Sequence, residues 1–155
     1  PERDELKGEG SVKAARGEAS EVQSYLFLED DPFSSLNILI PKLIRSLTSD
    51  RARDFIPLIP ALGVRLGISV GHAERLPQDA AIIALRKKRG LLYEALFNEI
   101  KQQRITAEQI TYVMSQDKSG YYLIELKYGT GIGARHKPLA LELQGSRWYL
   151  VFVEY

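Results

Sequence analysis

No cysteine occurs among the 155 residues. Disulfide frameworks, cysteine-type zinc sites and thiol catalysis are excluded with it. Histidine is nearly absent: His72 and His136 are the only two. Both are expected in glycine-rich loops, and neither shows the HxxxH or HxH spacing of a metal site. No charge sign is in marked excess, since the formal net charge is +1. That balance does not mark a specific nucleic-acid binder. No apolar run approaches the roughly 18 residues of a transmembrane helix, and no signal-peptide core is present. Nucleophile-elbow and HExxH motifs are missing. Gly129-Thr130-Gly131-Ile132-Gly133 lacks both the following helix of a dinucleotide loop and the GK[ST] ending of a phosphate loop. It reads as a long hairpin loop, and no cofactor or metal is expected.

The rest of the composition is that of a folded domain. Hydrophobic residues make up 45% and charged residues 26%, close to globular averages. A chain this long can bury a core without staples. Charge is nevertheless segregated along it. Residues 1–34 hold nine acids and four bases, a net of −5, and the remainder nets +6. The first 20 residues carry three glycines and almost no large apolar side chain, so burial there cannot offset ordering entropy. Residues 1–21 are expected to be a flexible tail, and 22–155 a single domain that begins with the docking run Tyr25-Leu26-Phe27-Leu28. The chain starts at Pro1 and its only methionine is Met114. Removal of an initiator before proline, cleavage of an export signal and trimming are three origins for that start.

Leu36, Leu39, Ile40, Leu43 and Leu47 follow the i, i+3, i+4, i+7 stripe of an amphipathic helix, interrupted by Pro41. The helix therefore kinks there, or a fresh one starts at the proline. Thr48-Ser49-Asp50 reads as a stop and cap, with a second short helix after it and Ala52, Phe55, Ile56 and Ile59 turned inward. Val64, Leu66, Ile68 and Val70 alternate with polar or small residues, the pattern of a short strand. Pro77-Gln78-Asp79 opens a long helix to about Gln103, capped by Asp79. Arg86-Lys87-Lys88-Arg89 sweeps about 300° of it. Either some of these cations snorkel over the core or the helix loosens at Gly90.

After Arg104 the period changes from 3.6 to 2. Four strands joined by short turns are expected, the last one, Trp148 to Tyr155, apolar on nearly both faces. The expected fold is α+β, with helices packed on one face of a four-stranded antiparallel meander.

Two short helices around LIRSLTSDRARDFIPLI, a longer helix, and a meander ending in GSRWYLVFVEY resemble the NTF2-like, cystatin-like superfamily. Within it the chain is similar to small bacterial envelope lipoproteins of uncharacterised function. Those carry an SGD-like turn between the first helices and a GKW-like opening of the final strand. Thr48-Ser49-Asp50 and Gly145-Ser146-Arg147-Trp148 stand in those places. The resemblance covers residues 33–155 and implies a curved sheet wrapped into a cone around the long helix. It also implies a cell-envelope, periplasmic or secreted domain with a lipid anchor upstream; a cytoplasmic domain is the alternative.

Enzymes of that superfamily place an acid or an acid–histidine pair inside the cone, whereas Glu125 and Glu142 here fall on the polar faces of their strands. The function expected is non-catalytic binding of a partner protein or an apolar small molecule. An isomerase- or hydratase-type enzyme using a Tyr or His in the cone, and a cytosolic scaffold, are the alternatives. A homodimer is compatible with all three. Candidate ligand-binding residues are Tyr93, Tyr112, Tyr122 and Trp148, whose apolar bodies and polar tips suit a pocket wall. Trp148 is expected to plug one end of the core, on one face with Leu150 and Phe152.

Overall fold

The computed structural model describes residues 5–7, 12–14, 35–116, 120–129 and 135–155. The chain divides into two compact units, Pro1–Ser35 and Leu36–Tyr155. In the first, β1 (Glu5–Lys7) and β2 (Val12–Ala14) pair antiparallel, with Leu6 opposite Lys13. The rest of the expected tail, the apolar run Tyr25-Leu26-Phe27-Leu28, and most of the loops at 117–120 and 129–133 lie outside the described residues.

The second unit begins with α1 (Leu36–Thr48) and a 3-10 helix (Ala52–Leu58). The hairpin β3 (Val64–Ser69) and β4 (His72–Leu76) follows, then α2 (Gln78–Lys87), α3 (Leu91–Gln102) and a 3-10 turn (Ala107–Gln109). The chain ends in β5 (Thr111–Gln116), β6 (Tyr122–Tyr128), β7 (Arg135–Gln144) and β8 (Arg147–Glu154). The architecture is α+β. The sheet has six strands rather than the expected four, in the order β4-β3-β8-β7-β6-β5. It is mixed, because β3 runs parallel to β8 with Arg65 beside Phe152 and Leu66 beside Val153. β8 is a central strand, as its two apolar faces require, and the hairpin supplies its second neighbour.

α1 runs unbroken through Pro41. An interior proline costs about 3 kcal/mol. Against it, Leu39, Ile40, Leu43, Ile44 and Leu47 are all buried, each contributing about 1.5–3 kcal/mol. Burial wins, and the stripe continues. The helix stops where Asp50 takes a left-handed φ of 56° and the Arg51 amide closes back on the Ser46 carbonyl at 2.9 Å. This is a Schellman-type end with Asp in the place glycine usually holds.

The single long helix expected over 78–103 is two. Lys88 is left-handed, with φ 54°, and Gly90 sits at φ 95°, ψ 174°, a region only glycine adopts readily. The break resolves the steric problem of four successive cations: Arg86, Lys87, Lys88 and Arg89 are all exposed. Asp79 is not the cap either. Pro77 holds that position, and Asp79 lies in the first turn with Oδ1 accepting from the Ala80 amide at 2.9 Å.

Tyr128 of β6 donates to Glu99 Oε1 of α3 at 2.8 Å. Its face of the sheet, with Ile124, Leu126, Leu139, Leu141, Leu150 and Val153, is buried and is the face the helices cover. A bulge then breaks the alternation of β8. Ala140 pairs with Phe152 but Leu141 with Leu150, so Val151 is an extra residue. Trp148 and Leu150 share the helix-covered face. Phe152, expected beside them, is carried to the opposite face, where it packs with Ala140 and Val151, flanked by Val70, Ala73, Tyr121 and Leu123.

Candidate binding site

Among the described residues, the four aromatic residues singled out in the sequence are not brought to one pocket. Tyr122 and Trp148 meet edge to face, centroids 5.1 Å apart at 86°. Trp148 is half-buried and so does not plug the core. Among the described residues the phenylalanines Phe55, Phe97 and Phe152 are sealed in the core. Tyr112 lines a separate groove beside α1. Tyr93, on α3, is buried and points at the turn after α1.

That turn organises a polar cluster. The left-handed Asp50 directs its carboxylate at α3, where Tyr93 Oη donates to Oδ1 at 2.7 Å. Lys88 Nζ donates to Oδ2 at 3.2 Å, and Lys101 Nζ lies 3.3 Å from the same oxygen and 2.9 Å from Tyr93 Oη. Nearby, Asp54 Oδ2 accepts from the buried Ser46 hydroxyl at 2.7 Å and from Arg51 Nε at 3.0 Å. Partial burial pushes both carboxyls up. The hydrogen bonds outweigh it and hold both below the usual aspartate value, from Tyr93, Lys88 and Lys101 at Asp50, and from Ser46 and Arg51 at Asp54.

A carboxyl lowered by folding stabilises the folded state fully above its unfolded pKa, about 3.9. The contribution is lost as pH falls through the folded value. Asp50→Asn keeps a residue that tolerates the left-handed backbone while removing the charge. Urea titrations are expected to show the variant weaker by roughly 1 kcal/mol at pH 7. The gap should begin to close below about pH 5 and go on narrowing as pH falls through the folded-state value; curves that stay parallel would refute the charged pairing.

Lys137 projects from β7 onto the helix-covered face and donates to the Ala95 carbonyl of α3. Burial holds its ammonium below the ordinary lysine value, against the fields of Glu99 and Glu154. It ties the sheet to the helix. His72, expected in a loop, opens β4 and lies exposed, Nδ1 3.3 Å from Ser69 Oγ. His136 falls within the backbone of β7 rather than in a loop. Among the described residues no group of His, Asp or Glu is arranged to hold a metal ion. No described helix is long and apolar enough to cross a membrane.

A groove of about 560 Å³ opens between α1 and the start of β5, lined by Pro41, Ile44 and Arg45 on one side and Ala107, Glu108, Ile110, Thr111 and Tyr112 on the other. Its far wall is held by a capping box. The Thr106 amide donates to Gln109 Oε1 at 2.9 Å, and the Thr106 side chain accepts from the Gln109 amide. The 3-10 turn so fixed holds Ile110 and Tyr112 opposite the helix. A second cavity of about 500 Å³ adjoins it, sharing Arg45, Ala107 and Glu108 and adding Thr48, Ser49, Arg51, Arg104, Ile105 and Thr106.

Apart from Tyr112, sequence reasoning did not single out these residues. A signal for them was present: Pro41, Ile44, Arg45 and Thr48 form their own i, i+3, i+4, i+7 row, alongside the buried stripe. No protein-family model, curated protein or solved structure matches this chain.

Proposed function

We propose that the Leu36–Tyr155 unit is a non-catalytic binding domain that takes an apolar small molecule in the groove between α1 and β5. The observation that carries this reading is the groove itself. Its volume of about 560 Å³ falls in the usual range for small-ligand sites, roughly 300–1,000 Å³. Its walls are apolar at Pro41, Ile44, Ile110 and Tyr112, with Thr111, Glu108 and Arg45 to orient a bound molecule. The titratable clusters argue against catalysis: Asp50, Tyr93, Lys88 and Lys101 satisfy one another.

The NTF2-like cone and a place in the cell envelope or outside the cell belong to the same proposal. Helices on one face of a mixed sheet and bulges in the pairings of β3 with β4 and of β7 with β8 support the cone; the location rests on the resemblance of the turn motifs at 48–50 and 145–148.

Binding of the neutral dye Nile red, followed by its fluorescence, tests the groove. Saturation at one dye per chain is expected. Tyr112→Ala should weaken binding at least about fivefold, near 1 kcal/mol, because its side chain is part of the groove wall; Tyr112 is only partly buried on the edge strand, so the fold should survive its loss. Tyr122→Ala, away from the groove, should bind as the parent does. Non-saturable binding, or equal affinity in the Tyr112 and parent proteins, would sink the reading.

A further inference from the structure

The second cavity extends the groove at its Arg45 end, and its chemistry is the opposite of the apolar wall. Three arginines, Arg45, Arg51 and Arg104, line it with the hydroxyl-bearing Thr48, Ser49 and Thr106, against the single acid Glu108. Among the described residues Arg51 has an acid partner, Asp54, bonded through Nε. Among the described residues Arg45 and Arg104 form no ion pair, and both are exposed.

Backbone geometry adds a second, independent observation. Arg104 sits just past the end of α3 at φ 54°. The Ile105 amide closes back on the Ile100 carbonyl at 3.0 Å, the Schellman arrangement in which glycine is the ordinary occupant. A non-glycine side chain there carries about 1–2 kcal/mol of strain. The fold tolerates that strain at an arginine that lines the cavity.

We infer that this site binds an anionic amphiphile: a carboxylate or phosphate head held by Arg45, Arg51 and Arg104, with a single alkyl chain lying in the groove along Pro41, Ile44, Ile110 and Tyr112. Charge complementarity selects the sign of the head. Arginine forks suit both carboxylate and phosphate oxygens in paired hydrogen bonds. The shared wall of Arg45, Ala107 and Glu108 joins head site to tail site, so one molecule spans both. Glu108 at that junction opposes a second negative charge further down the chain, favouring a ligand charged at one end only. This inference rests on the apolar groove proposed above and names the class of molecule that fills it.

Isothermal titration below the critical micelle concentration distinguishes the outcomes. Decanoate and decyl phosphate are expected to bind at least about tenfold tighter than decyltrimethylammonium, and to lose affinity as salt rises. In the double variant Arg51→Gln, Arg104→Gln, both outside the groove wall, that preference should fall at least about fivefold, while Nile red still binds the groove and the thermal midpoint stays within a few degrees. An unchanged preference in the double variant overturns the head site, and retained Nile red binding shows that the groove reading survives it. Loss of Nile red binding in the parent protein would sink the groove reading instead. Inorganic phosphate binding as tightly as decyl phosphate would show an anion site that ignores the chain. Capture by phosphatidylglycerol vesicles without binding of monomeric decanoate or decyl phosphate would assign the arginines to a membrane surface. Either of these last two results overturns the proposal.

Discussion

Phe97→Ala is expected to destabilise the domain by about 3–5 kcal/mol, the range for emptying a large buried aromatic site. Phe97 is 0% exposed. Its ring meets Phe55 of the 3-10 helix edge to face, at 5.5 Å and 81°, and stacks on Tyr93 at 5.1 Å and 16°. Its loss would leave a void between α3 and the 3-10 helix that neither rigid element can collapse into. It would also free the Tyr93 ring, whose hydroxyl anchors Asp50. A domain of this size typically has only about 5–15 kcal/mol of stability, so a large fraction would go. Urea unfolding followed by circular dichroism measures it. Trp148→Ala, at a half-buried site, should have a clearly smaller effect. A Trp148 variant less stable than the Phe97 variant would reverse this account of the core.

Gly63→Ala should lower stability by about 2–4 kcal/mol, combining left-handed strain with overpacking. Gly63 has φ 90°, and a Cβ there would lie 2.1 Å from the Leu76 carbonyl oxygen and 3.0 Å from Pro77 Cα. Both are backbone atoms, which cannot rotate away. The clash falls at the end of the β3–β4 hairpin, next to the Val64–Leu76 pair. Relieving it would pull β4 from β3, and β3 from the central β8. Gly145→Ala separates the two causes. Its φ is 67° and nothing lies within 4 Å of the added Cβ, so strain alone acts and roughly 1–2 kcal/mol is expected. Equal losses at the two positions, read from urea midpoints, would show that the contact with Leu76 is not what excludes a side chain.

Local pattern carried much of the fold. The change of period near Arg104 separated helices from the last four strands, because burial of one helix stripe or one strand face leaves a direct trace in residue order. In β6 the period-2 positions Tyr122, Ile124, Leu126 and Tyr128 share one face, and the last three of them are buried. The two apolar faces of β8 marked it as central. Thr48-Ser49-Asp50 marked the end of α1, since turn chemistry is also local.

Tertiary structure decided the rest. The parallel pairing of β3 with β8 joins segments far apart in the chain, and nothing in either strand names its partner. The bulge at Val151 reverses the facing of Phe152, although alternation alone predicts the same face as Trp148. The break at Lys88 and Gly90 follows from packing: α2 meets the 3-10 helix, and α3 meets both α1 and β8, a path that one straight helix does not follow. The candidate site was the least legible part. Pro41, Ile44 and Arg45 come from one helix, Arg104 from the end of another, and Ile110 and Tyr112 from an edge strand. Each reads locally as surface or flank. Only the docking of α1 beside the Thr106–Gln109 capping box brings the apolar row and the arginines to a common wall, because a groove is a property of the space between elements and not of any one of them.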